Sequence, residues 1–407
     1  MRGSPVAFDP DTNDADREFV EHFRPPATPR SEHSARRLSV DPWRDLSTEE
    51  VGRRMVAGLC ARLMPDSHPA DDRSRAFASM PLTEMARMFL KRRGWTHITG
   101  RGDIAMASLQ VNGTRAVSAY LVTDDFVSVL LNLARASLTQ GYTVAPRTFT
   151  SWCRATTLQD FRQTWRIALG AGPLLQQVPE HAEYTRAPLP SRAEPIQLAT
   201  WGKIIAFTRQ AMVNDDLGTL ARIPQLFGNS AATMEGDVVY GVLTGNPIMS
   251  DGNALFSASH KNVGTAAAIT IASLSEARQL LRTQTSPEGA PLNLEPRFLI
   301  CGPKKEVEAL QLTASVVVPT TLGTAIPVAL KSVEVVVDAR ITDLSWYIAA
   351  SPLACDTLEY ARLAGTDEGP TLEARDGFDV DGVEFKCREE FACAAIDWRG
   401  LVRNQGA

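Results

Sequence analysis

A chain of 407 residues, 44% hydrophobic and 22% charged, can build two or three packed domains or one elongated domain with arms. It has no apolar run near the roughly 18–20 residues a bilayer span needs, and Met1 to Pro10 lacks the basic start and apolar core of a secretory signal, so no membrane partner and cytoplasmic synthesis are expected. The net charge is −5, with 12 acidic against 6 basic residues from Tyr347 onward, whereas a chain built to grip DNA by sequence carries a basic stripe.

In chain order, residues 1–35 mix Pro, Asp, Arg, Ser and His with few aliphatics and read as a disordered tail, with a short helix over Asp14 to Phe23. Residues 36–115 read as a helical N-terminal region. Ser47 and Glu50 form a capping-box pair ahead of Val51, Met55, Val56, Leu59 and Leu63 at helical spacing. A second helix follows Pro81, with Leu82, Met85, Ala86, Phe89 and Leu90 on one face, and 97–122 is weakly patterned and reads as a linker. Leu121 to Gln140 is amphipathic through Phe126, Val129, Leu130, Leu133 and Ala134, with Gly141 as its C-cap. Residues 161–214 read as two long strands, one around Trp165 to Leu169 and one over Leu198 to Val213, joined by a tip with Pro173, Pro179, Pro188 and Pro190. A hairpin this poor in large apolar residues at its tip must lie on something else.

Asn214-Asp215-Asp216 starts a helix, and Pro224 is expected to kink or divide it. Phe227, Ala231, Met234, Val238 and Val242 form its stripe over about five or six turns, and Gly245-Asn246-Pro247 stops it. Ser273 and Glu276 are read as the next capping box. Phe298 to Cys301 is a buried strand, Lys304 to Leu312 a helix, and Val333, Val335 and Val337 one face of a half-buried strand with Glu334 and Asp338 on the other. Leu358 to Leu363, Thr371 to Arg375 and Val380 to Trp398 read as antiparallel strands, with turns or bulges at Asp376-Gly377 and Asp381-Gly382. The fold class is α+β.

No chemical motif stands out. Ser257 or Ser259 with His260 and Asp251 could supply the residue types of a hydrolytic triad, but the sequence has no GxSxG elbow, and a loop histidine held by its neighbours is the plainer reading. Cys301 beside Gly302 follows a buried strand and reads as core. The six cysteines lack metal-ligand spacing and read as reduced and buried. Gly170 and Gly172 run into Pro173 rather than into a phosphate-binding helix start. Asp367, Glu368, Glu373, Asp376, Asp379, Asp381 and Glu384 do not fit an EF-hand. No catalytic, cofactor-binding or metal residue is therefore assigned, and no enzyme activity is expected.

The order of elements resembles the HK97-type fold of tailed-phage capsid proteins. Thr208 to Gly218 (TRQAMVNDDLG) with Arg222-Ile223-Pro224 is similar to the approach to the spine helix in a Mu-like major head family, whose capsid part is often fused behind a Clp-like prohead protease. Asn246-Pro247, Asp251 to Phe256 and His260-Lys261-Asn262 resemble the loop after that helix. Gly377 to Val383 and Ala395 to Leu401 resemble its closing strands, and Met80 to Arg87 resembles the stretch between protease and capsid in fused relatives. The resemblance implies an N-arm at 116–160, an extended loop at 161–202, a peripheral domain with the spine helix at 203–271, an axial domain at 272–350 and peripheral return strands at 351–407. It implies a major head protein that self-assembles, as pentamers and hexamers, into the icosahedral shell around phage double-stranded DNA, with an encapsulin-like compartment shell as the alternative. Its implied partners are a portal, a scaffold or prohead protease, and cement proteins; the DNA is approached without specificity. The expected location is the virion, assembled in the host cytoplasm. No protease domain is expected in this chain, and residues 1 to about 115 would be either a segment removed on maturation or a retained decoration. Relatives that cross-link their shells use a lysine of the extended loop. No Lys occurs here between Phe161 and Gly202, so a shell without that bond is expected.

Overall fold

The computed structural model describes residues 43, 45–69, 71–92, 94–109, 126–167, 193–214, 217–286, 289–313, 332–365, 369–376 and 382–407. The chain divides into two units, Met1–Ser47 and Thr48–Ala407, and all helices and strands among the described residues belong to the second. The expected tail, the proline-rich tip and the turns around Gly377 and Asp381 lie outside the described residues.

Four helices open this unit: α1 (Thr48–Leu63), α2 (Arg75–Ala78), α3 (Leu82–Arg92) and α4 (Arg101–Leu109). In α3 the buried face is Leu82, Met85, Ala86, Phe89 and Leu90, as the spacing predicts. Helices α2 and α4 are corrections. The stretch read as a linker contains α4, in which Ile104 and Ala105 are buried.

Helix α5 (Phe126–Val144) runs past Gly141, so that glycine is not a cap. It marks a crossing with a later helix. A Cβ on Gly141 would overlap the carbonyl oxygen of Gln225, and one on Gly228 would overlap that of Leu138, so the two backbones meet where both lack side chains.

Strands β1 (Arg154–Leu158), β2 (Thr164–Ile167), β3 (Ala193–Ile196) and β4 (Ala199–Thr208) come next. The hairpin consists of β2 against β3, with Trp165 opposite Pro195, a tolerable place for proline because the ladder has only two strands. The expected long strand over Leu198–Val213 is therefore corrected. Its first part, β4, pairs in the main sheet and not in the hairpin, and its end is a short helix, α6 (Arg209–Val213).

Helix α7 (Leu217–Gly245) is unbroken over 29 residues, about eight turns, and contains Pro224. Asn246, with φ 50°, terminates it ahead of Pro247. The predicted stripe lies to one side of the buried one. Gly228, Ala232, Glu235, Gly236, Val239, Tyr240 and Leu243 are buried, whereas Phe227, Ala231, Met234, Val238 and Val242 are half-buried. Small and charged residues in the true stripe concealed it. Helix α8 (Ile271–Arg282) is capped by Thr270, whose side chain accepts from the Ser273 amide while the Ser273 hydroxyl accepts from the Thr270 amide. Glu276, the expected capping partner, instead receives the Thr265 amide and hydroxyl.

The remaining elements are β5 (Pro296–Cys301), α9 (Glu306–Thr313), β6 (Glu334–Val337), β7 (Trp346–Ala350), β8 (Leu358–Leu363), β9 (Thr371–Asp376), β10 (Gly382–Ala395) and β11 (Leu401–Asn404). They complete two sheets. One has the order β1-β8-β10-β4, with β9 also on β10 and β1 parallel to β8; the other has the order β11-β7-β5-β6, with β5 parallel to β6. The second sheet is covered on both faces, which explains the unbroken apolar run of β5. Phe298 and Ile300 pack with Val239, Tyr240 and Leu243 of α7, whereas Leu299 and Cys301 pack with Leu274, Ala277 and Leu281 of α8. The reading of β6 as half-buried is corrected for the same reason. Val336 is buried on the face opposite Val333, and Asp338 is buried too, accepting from the Thr148 hydroxyl at 2.6 Å.

Candidate functional site

The loop after α7 carries the residues nearest to a catalytic set. His260 is buried, lies parallel to the Trp398 ring at 4.2 Å, and places Nε2 2.7 Å from Asp251 Oδ2 and Nδ1 3.1 Å from the Leu255 carbonyl oxygen. A triad base needs one ring nitrogen for the carboxylate and the other for the nucleophile. Here the second nitrogen is occupied by a backbone carbonyl. Ser257 Oγ accepts from the His260 backbone amide instead of facing the ring, and Ser259 is exposed. Burial alone would raise the Asp251 carboxyl, but hydrogen bonds from His260 and the Asn253 amide hold it below the ordinary carboxylate range. The constellation is a buried pin for the loop, and it has no geometry for attack.

Of the other residues singled out from the sequence, Gly170, Gly172, Asp367, Glu368, Asp379 and Asp381 lie outside the described residues. Cys301 is fully buried, and burial pushes its thiol up to about 11, far from a reactive thiolate. All six cysteines are free thiols. Two of the acids singled out on β9 and β10 sit in cross-strand ion pairs: Glu373 with Lys386 and Arg388, and Glu384 with Arg375. Among the described residues, no group of three or more His, Cys, Asp or Glu is disposed to hold a metal, and no helix is long and apolar enough to cross a membrane.

Two polar features that the sequence reading missed are built with more care. At the root of the hairpin, Glu194 of β3 is buried and accepts from the Ser250 amide (2.9 Å) and hydroxyl (2.6 Å). This ties the β2–β3 arm to the loop that His260 pins. Farther along, Glu235 of α7, fully buried, receives Tyr142 of α5 at 2.8 Å and Arg362 of β8 at 2.6 Å, so one carboxylate joins two helices and a sheet. Glu389 of β10 faces Glu235 and is raised to about 9, first by burial and then by the Glu235 charge. A signal for Glu235 existed in the sequence. It lies four residues after Ala231 and three before Val238, a charge inside an apolar stripe.

The arm and its neighbour β4 expose large apolar side chains: Trp165 at 59%, Ile167 at 58%, Ile204 at 56% and Trp201 at 42%. Trp165 and Ile167 lie on the arm, and Trp201 and Ile204 on β4 of the main sheet.

The profile of a known family, described as phage capsid protein, matches residues 192–404, just over half of the chain. The chain belongs to the phage capsid protein family. The capsid match spans β3 to β11, and so takes in the hairpin root, α7, the Glu235–Glu389 pair and the second sheet. No curated protein matches the chain. Among solved structures, a virus-like particle protein from Pyrococcus furiosus is 16% identical over 67% of this chain and 97% of its own, with a TM-score of 0.42. The procapsid of bacteriophage JBD30 is 12% identical over 69% and 74%, with a TM-score of 0.41. The SrpI encapsulin of Synechococcus elongatus is 12% identical over 65% and 88%, also at 0.41. Membership rests on the sequence match over 192–404 and not on these superpositions.

Proposed function

We propose that this capsid-family protein is the major head subunit of a tailed bacteriophage, of HK97 type and akin to the Mu-like heads, and that it assembles with copies of itself into the icosahedral shell around double-stranded DNA. The match to the phage capsid family carries the reading. The structure supports it through an arm whose root is fixed by Glu194 while its apolar side chains face outward. Under this reading 161–202 is the extended loop over a neighbouring subunit, 203–271 and 351–407 the peripheral domain around α7, 272–350 the axial domain at five-fold and six-fold centres, and 116–160 the N-arm. Closed shells reuse one surface in slightly different settings, which a stiff body with a jointed arm accommodates. Enclosing DNA needs only a surface that does not condense on it, and a net charge of −5 is compatible with that. The protein is a virion component without catalysis of its own, and a portal, scaffold, protease and cement proteins are its expected partners.

The test is negative-stain electron microscopy of the purified chain, paired with intact mass of the assembled subunit. Closed icosahedral particles are expected, and a mass short by the N-terminal region would identify that region as a processed scaffold. Particles filled with protein cargo instead of DNA in the native source would favour a compartment shell. Monomers at every salt and crowding condition, with scaffold and protease co-expressed, would count against any shell.

A further inference from the structure

From Met85 to Gly102 the sequence carries Arg87, Lys91, Arg92, Arg93 and Arg101 with His97 and no acidic residue, in a chain whose net charge is −5. The fold brings this stretch to the junction of α3 and α4. Gly94, at φ 85°, ends α3, its amide bonded to the Lys91 carbonyl and the Trp95 amide to that of Leu90. Arg87 then reaches the Thr99 carbonyl at 3.4 Å, which folds the loop back along α3. Lys91 lies one turn beyond Arg87 on the same helix face, so Lys91 and the start of α4 flank one loop.

Lys91, Trp95, Thr96, His97, Thr99 and Arg101 are exposed, Trp95 at 45%. Each side chain offers a hydrogen-bond donor. Lys91 and Arg101 make no ion pair among the described residues. The acids that bracket the stretch are engaged: Glu84 pairs with Arg87, and Asp103 sits against Gly100 in the first turn of α4, where a carboxylate suits the helix dipole. Helix stability accounts for Lys91 and Arg92, cations in the last turn of α3. It does not account for Arg101, a cation at the N-terminus of α4, where the dipole opposes it. Nor does it account for Trp95, an indole left open at a position that ordinarily packs back on its helix. Cations and donors around one indole fit a polyanion that also has flat apolar parts, phosphates for the cations and sugar or base for the ring. An acidic peptide matches the cations alone.

We propose that the α3–α4 junction binds DNA through its backbone, without regard to sequence. Lys91 and Arg101 hold phosphates, the Thr96 and Thr99 hydroxyls donate to them, and Trp95 lies against the adjoining sugar. The choice of DNA rests on the shell reading, in which double-stranded DNA is the nucleic acid this chain meets.

Fluorescence anisotropy of the full-length, unassembled chain with a short labelled duplex, titrated with salt, tests it. Binding is expected with a dissociation constant of about 10⁻⁴–10⁻⁶ M, equal for unrelated sequences and weakening as salt rises. Lys91→Gln with Arg101→Gln is expected to weaken binding about tenfold or more and to reduce the log–log salt slope by about two. Lys91→Arg with Arg101→Lys is expected to keep both. Trp95→Ala is expected to lower affinity and leave the slope unchanged. Arg53→Gln with Arg62→Gln, at exposed cations of α1, is expected to bind as the parent does. No binding at low salt, an equal loss from the α1 pair, or polyglutamate competing charge for charge as well as DNA overturns the proposal, the last in favour of an acidic protein partner. A chain that binds DNA in this way and forms no particles keeps this surface and loses the shell. A chain that forms particles and binds no DNA does the reverse.

Discussion

At the scale of single residues, the buried polar groups among the described residues connect elements, as Glu194 and Glu235 do. The clearest consequence is a pH dependence of stability. Glu389 is raised to about 9 in the fold, and an unfolded glutamate titrates near 4.3, so below that value both states hold the proton and the contribution is complete. As pH rises toward 9 the unfolded chain releases a proton that the native chain keeps, so stability falls through that window. Glu359 and Asp397, also raised by burial, act in the same direction. Thermal melts between pH 5 and 9 should show a declining melting temperature, with a shallower decline in Glu389→Gln; a flat profile in the parent would contradict this. His260→Ala should cost about 1–3 kcal/mol through the loss of two buried hydrogen bonds. The hydrolase reading would require that variant to lose an esterase or peptidase activity that the parent shows, and neither protein is expected to show one.

At the scale of elements, the α5–α7 crossing and the hairpin root are the places where one substitution has leverage. Gly141→Ala or Gly228→Ala inserts a methyl into a backbone carbonyl across the interface and should cost about 1–3 kcal/mol, read by urea denaturation. An unchanged midpoint would mean that the helices separate without cost. Glu194→Ala removes the acceptor for Ser250 and should make the β2–β3 arm sensitive to limited proteolysis while the body stays intact. Equal cleavage rates in parent and variant would show that the arm is held by other means.

At the scale of the whole molecule, the exposed apolar side chains of the arm argue for assembly. Trp165→Asp together with Ile167→Asp should leave the melting temperature of the subunit unchanged and prevent particles from forming, as scored by sedimentation. Particles of normal size from that variant would remove the arm from the assembly surface. With no lysine between Phe161 and Gly202, denaturing gels of mature particles should show single-chain bands and no covalent ladder.

Where large apolar side chains repeat along one local element, the residues alone were enough; in α7, where small and charged residues fill the buried stripe, they were not. The face of α3, the buried run of β5, the stop at Gly245-Asn246-Pro247 and the strands β8, β9 and β10 are legible because a helix or strand period relates neighbours in the chain. The likeness to capsid proteins was legible for the same reason, as strings of adjacent residues. Partners were not. That Gly141 is a crossing and not a cap depends on Gly228, and that β4 leaves the hairpin depends on β10. That Glu235 is tolerable in a buried stripe depends on Arg362 and Tyr142. Periodicity states which side of an element avoids water; only the tertiary structure decides what it meets there, because close approach and charge balance are settled between residues far apart in the chain.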